Sequence, residues 1–156
     1  MGYVGMQEKR TTVQQYVCVV PYRAIQTSLE LCLVTGEQDH HWEFPKILAR
    51  EDVLHRELAL EAAQLIAGVV GELHMEEPLH EFHFSRGVES RLVVAYLMRV
   101  RGDVDGWESL PKKRRRRWCF PEEARVRIRR KPLRHLIDLA TRQAGGNGNS
   151  GGGWPG

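Results

Sequence analysis

Residues Trp42 to Gly71, WEFPKILAREDVLHRELALEAAQLIAGVVG, constrain the fold of this chain more than any other stretch, because they join a strand end, a loop and one amphipathic helix. Val53, Leu54, Leu58, Ala62, Leu65 and Ile66 recur at helical spacing and predict a packing face. Asp52 carries the side-chain acceptor of an N-cap, and Gly68 is a residue at which helices commonly stop.

The lead-in Trp42-x-Phe44-Pro45-Lys46, the helical Ala59 and the exit Gly68-Val69-Val70-Gly71 together resemble the Nudix box of a phosphohydrolase superfamily. That pattern runs Gly, five residues, Glu, seven residues, Arg-Glu, an aliphatic residue, any residue, Glu-Glu, any residue, Gly and an aliphatic residue. Laid on it without gaps, Ile47 takes the first Gly, Val53 the first Glu, Glu61-Ala62 the Arg-Glu, Leu65-Ile66 the Glu-Glu, and Gly68-Val69 the closing pair.

In Nudix hydrolases the helix glutamates hold divalent cations against the diphosphate of a substrate. Spacing i, i+3, i+4 gathers three side chains on one helical face, a hard cation such as Mg²⁺ needs oxygen donors there, and the cation polarises the phosphoryl group. Here those positions read Ala62, Leu65 and Ile66, with Val53 and Glu61 also departing from the pattern, so no ligand atom stands where the resemblance places one. The resemblance therefore implies hydrolase ancestry with the metal site lost, an enzyme that is impaired or inactive, and no confident cofactor. The alternative is an active pyrophosphohydrolase that uses Mg²⁺ through other acids, with Glu57 and Glu61 as candidate substitutes and Glu51 and Glu72 further off.

The chain has 156 residues and ends in a Gly-, Asn- and Ser-rich run, which predicts one domain over 11–143 between a loose lead-in (1–10) and a disordered tail (144–156). No apolar run approaches the roughly 20 residues of a membrane span, and the N-terminus lacks a signal-peptide core, so a cytoplasmic protein is expected. Cys18, Cys32 and Cys119 are an odd, widely spaced set, predicting buried reduced thiols rather than a disulfide framework or a zinc site.

Strands are predicted over Val13–Tyr22, ending near Pro21, over Leu29–Thr35, over the short Trp42–Pro45, and over Leu79–Ser85. Arg91–Arg101 is apolar enough to be buried on both faces, and GVES before it makes a hairpin turn. Arg114–Phe120 is a last strand, after which Pro121-Glu122-Glu123-Ala124 opens a helix and Pro132–Arg142 supplies another. The fold class is α+β: a Nudix-type α/β/α sandwich whose central mixed sheet lies between the box helix and the C-terminal helices. His80 and His83 fall on opposite faces of one strand, which disfavours a shared metal, and His40 and His41 are adjacent loop residues of the solvated kind.

Although the net charge is only +3, twelve of the twenty-three Lys and Arg lie between Lys112 and Arg134. Such a run is commonly a solvated face. Its alternative is an anion site, since arginine presents a planar fork to phosphate oxygens. Arg114, Arg115, Arg116 and Arg117, with Lys46 in the lead-in, are the candidate anion-binding residues, and "basic residues, Trp, Pro-Glu-Glu-Ala" is similar to a segment of the diphosphoinositol-polyphosphate branch of the superfamily. The expected partner is a phosphorylated small molecule, a nucleotide or an inositol polyphosphate, with weak RNA binding as the alternative. The sequence gives no sign of oligomeric state.

Overall fold

The computed structural model describes residues 12–36, 40–86, 88–107 and 114–145. The lead-in (1–10), Lys112 and Lys113, and the tail after Gly145 lie outside them, and so do Gly87 of the expected hairpin turn and part of the loop between Gly102 and Lys113. Among the described residues no helix is long and apolar enough to cross a membrane.

Eight strands form one sheet: β1 (Thr12–Ile25), β2 (Ser28–Thr35), β3 (Trp42–Glu43), β4 (Lys46–Leu48), β5 (Val69–Leu73), β6 (His80–Arg86), β7 (Glu89–Asp103) and β8 (Arg116–Cys119). Its centre is the parallel pair β1 and β7, in register from Thr12 against Glu89 to Tyr22 against Arg99. All other pairings are antiparallel, so the sheet is mixed: β2 and β4 flank β1, β5 and β6 flank β7, and β3 and β8 extend from β2.

Alternation along these strands supplies two cores. Val93, Ala95 and Leu97 of β7 join Cys18, Val20 and Leu31 on one face, under the C-terminal helices α2 (Pro121–Arg127) and α3 (Lys131–Ala140). Val94, Tyr96 and Met98 join Val17 and Val19 on the other, under the box helix α1 (His55–Ala62). The predicted α+β sandwich is thus the observed architecture, and β7 is buried on both faces as its apolar run requires. All three cysteines are free and buried. Burial pushes the Cys18 and Cys32 thiols up to about 12, which keeps them neutral.

Three local expectations are corrected. The helix begins at His55, two residues later than an Asp52 cap requires; Leu54 holds the cap position with no side-chain hydrogen bond, because Asp52 lies in a preceding turn. Pro21 does not end β1. Val19 donates its N–H toward the carbonyl of Pro45, away from β7, and Pro21 shares that direction, in the interval between the β4 register ending at Cys18 and the β2 register beginning at Tyr22, so its missing N–H removes no β7 bond. Strands β4 and β5 are additional: β4 is only three residues long, and β5 begins at Val69, directly after the glycine that stops the helix. The last strand is also shorter than expected, Arg116–Cys119.

After Ala62 the helix widens into a single turn over Ala63–Ala67, and the Gly68 N–H points at the carbonyls of both Ala63 and Gln64. The expected single stripe is only partly buried: Ile66 packs on the core, while Leu65 is 62% exposed and Leu54, ahead of the helix, 56%. Gly68 takes φ +68°, and a Cβ there would stand 2.3 Å from the Trp107 ring. Gly71 is required for a different reason, since a Cβ would meet the backbone carbonyl of Arg99 on β7. Gly68→Ala is expected to lower unfolding free energy by roughly 2–4 kcal/mol, from overpacking and left-handed strain together; urea denaturation of the purified variant measures it.

Candidate functional site

The helix α1 and the turn after it pack on the sheet, and most of their side chains are used in that packing. Ala62 is fully buried against β1 and β7, and Val53 and Ile66 pack on the same cluster. Leu65 faces solvent. Glu61 takes both oxygens to Arg50, at 3.0 and 3.1 Å, and the hydrogen bond from that guanidinium holds its carboxyl below the usual range. Glu57 is exposed, and Glu72 is engaged by Arg101. Among the described residues no three His, Cys, Asp or Glu side chains converge on a point that could hold a metal ion. Hydrocarbon at Ala62, Leu65 and Ile66 offers no donor to a hard cation, so the residues present do not fit the Mg²⁺ of the superfamily.

The arginine run is built into the structure. Arg116 is the most enclosed, its side chain only 10% exposed. It donates to the Ala67 carbonyl at 2.8 Å, stacks over Trp107 at 4.6 Å and lies 3.6 Å from Asp103. Arg114 donates to the Thr35 carbonyl at 3.1 Å and lies 4.0 Å from Glu43. Arg115 receives its place from its backbone N–H, bound to the buried Thr35 hydroxyl, while its guanidinium lies over Trp42. Arg117 donates to Glu123 at 2.7 Å, as does Arg127. Hydrogen bonds from these two arginines hold the Glu123 carboxyl below its ordinary range.

Lys46 lies elsewhere, on the mouth of a cleft of about 240 Å³ between the sheet and the start of α3. Cys18, Phe44, Phe82, Val93 and Leu133 make its walls, and Lys46, Arg130 and Lys131 stand at its edge with Glu43. Glu43 is bound to Lys46 at 2.7 Å. The structure therefore brings Lys46 together with Arg130 and Lys131 at the cleft, and of the run Arg114–Arg117 it brings Arg114 to the same carboxylate, Glu43, at 4.0 Å. One signal in the sequence pointed here: α3 has no acid in its first turn, where the helix dipole favours one, and opens on Arg130-Lys131-Pro132 instead. The apolar walls had no such signal, because Phe44, Phe82 and Val93 look like any core residues until the helix stands away from them.

The fold is shared with solved structures. A C. elegans Ap4A hydrolase superposes with a TM-score of 0.68 at 18% identity, over 82% of this chain and 96% of that one. The chain has the Nudix fold. A NUDIX hydrolase from Nitrosomonas europaea matches with a TM-score of 0.66 at 13% identity, over 82% of this chain and 88% of that one. NrtR from Shewanella oneidensis, complexed with a 27mer DNA, matches with 0.62 at 13% identity, over 81% of this chain and 59% of that one. No family model matches the sequence, and no curated protein matches it.

Two outcomes test this description. Arg116→Met removes donors from a helix end and is expected to cost about 1–3 kcal/mol of stability, whereas Arg115→Gln, with an exposed side chain, should leave the denaturation midpoint unchanged; urea titration separates them. Restoring the box at Ala62→Glu forces a carboxylate into a filled core and should destabilise by at least about 3 kcal/mol, while Leu65→Glu should fold normally by circular dichroism and thermal melting.

Proposed function

We propose that the protein binds a nucleotide-like phosphorylated ligand in the cleft beside α3 and hydrolyses it poorly or not at all. One observation carries the binding half: the cleft is lined by the partly buried Phe82 and Leu133 together with Lys46, Arg130 and Lys131. A flat base suits such walls, since aromatic and aliphatic surfaces take a planar ring out of water, and the cations suit its phosphates. An inositol polyphosphate has no apolar face to offer them, so the nucleotide is favoured between the two ligands. The Ap4A hydrolases among the structural neighbours act on nucleotides by name, which supports the same class. The inactive half rests on Ala62, Leu65 and Ile66, which carry no oxygen for a cation. Cys18 is no nucleophile, because burial keeps its thiol protonated.

Calorimetric titration with ADP, UDP and inositol hexakisphosphate, each with and without Mg²⁺, tests both halves. A nucleoside diphosphate should bind without requiring Mg²⁺ and without release of phosphate. Phe82→Ala should weaken it about tenfold, within the range of lost base stacking, and Lys46→Gln should weaken it less, because Glu43 already shares that charge. Preference for inositol hexakisphosphate would overturn the nucleotide assignment, and steady Mg²⁺-dependent turnover would overturn the loss of hydrolysis.

A further inference from the structure

The cleft does not end at α3. It shares Glu43, Arg130 and Leu133 with a constriction of about 20 Å³. That constriction shares His41, Trp42 and Arg129 with an open basin of about 460 Å³, lined also by His40, Glu123, Val126 and Arg127. Two wide spaces, each sharing walls with a narrow one, suit an occupant that is bulky at both ends and thin in the middle.

From this we infer that the cleft and the basin are the two ends of one site for a dinucleotide step of a single-stranded nucleic acid, with one phosphodiester in the constriction. The constriction has room for roughly one or two water-sized spheres, which is what the two non-bridging oxygens of a single phosphate occupy; a base ring or a chain of several phosphates needs more. Arg129 and Arg130 line it, and guanidinium forks match phosphate oxygens. The acid beside them, Glu43, is bound by Lys46 at 2.7 Å and faces Arg114 at 4.0 Å, so its charge is compensated. In the basin Glu123 is compensated in the same way, by Arg117 and Arg127.

The basin is far larger than a phosphate and suits a second nucleoside. Trp42 and Val126 give it apolar surface, and His40 and His41 give it groups that can donate to or accept from a base edge. Arg127, over the Trp42 ring at 5.8 Å, fixes that wall. Because the basin opens to solvent, a strand can run on beyond the second nucleotide. Nothing in this arrangement uses the box helix, which packs on the opposite face of the sheet.

This inference rests on nucleotide binding in the cleft, and the experiment separates the two. The intact protein is titrated calorimetrically with AMP and UMP, with the dinucleoside monophosphates ApA and UpU in ribo and deoxyribo forms, and with Ap4A. At least one dinucleoside monophosphate, of either sugar, should bind about tenfold or more tighter than the matching mononucleotide, the increment of one further base. Arg129→Gln, which removes a phosphate donor, should weaken the dinucleoside monophosphate more than the mononucleotide and so reduce that increment. Val126→Glu, at a position 83% exposed where the fold tolerates a charge, should do the same by placing an anion in the basin. Mononucleotides that bind as well as dinucleotides would overturn the inference and leave the cleft assignment standing. Tighter binding of Ap4A than of ApA would overturn it in favour of a polyphosphate link. Failure of every nucleotide to bind would overturn the cleft assignment and the inference with it.

Discussion

A helix that ends against a protein core leaves carbonyl oxygens that need donors, and the C-terminus of the box helix finds them in Arg116. Its guanidinium reaches the Ala67 carbonyl, while the backbone N–H of Val104 takes the Gly68 carbonyl at 2.8 Å. A cation there also opposes the negative end of the helix dipole. The same side chain lies over Trp107, whose ring fills the space a Cβ on Gly68 would need, and it approaches Asp103 at the end of β7. One arginine thus ties α1, β7 and β8 together. The turn at Gly68, the start of β5 and the placement of the whole helix on the sheet depend on that junction holding.

The layered fold was legible because two patterns of different period pointed to it. Six consecutive buried residues from Val93 to Met98 divide strictly between the two cores, which only a strand covered on both sides can do, and the stripe from Val53 to Ile66 supplied one of the covers. What stayed hidden was decided by backbone geometry. A widened turn follows Ala62, and no composition distinguishes that turn from an ordinary one; Leu54 and Leu65, both in the apolar stripe, stand at the surface. Pro21 read as a strand end because a lone sequence cannot show that β1 changes partner at that point.

The site was legible only as an absence. Ala62, Leu65 and Ile66 told which chemistry is missing, but the charge run told less than its density promised. Arg114, Arg115, Arg116 and Arg117 are all committed to carbonyls, rings or carboxylates of the protein itself. The acceptors that hold them come from distant parts of the chain, so cation density in the sequence does not by itself mark a ligand site. Lys46, which is itself bound to Glu43, lines a cavity with Arg130 and Lys131.

The parallel pairing of β1 with β7 bears on how the chain is made as well as on what it becomes. Thr12 lies beside Glu89 and Tyr22 beside Arg99, so β1 has to wait for a strand that leaves the ribosome much later. Until then β1 can close only local contacts, with β2 and β4, and Val17, Val19 and Val20 lack the neighbour that buries them. Long-range pairings of this kind slow folding and lengthen the time an apolar edge is open to other chains. During that interval the nascent chain is most exposed to aggregation, and the open edge of β1 is the vulnerability that this topology builds in.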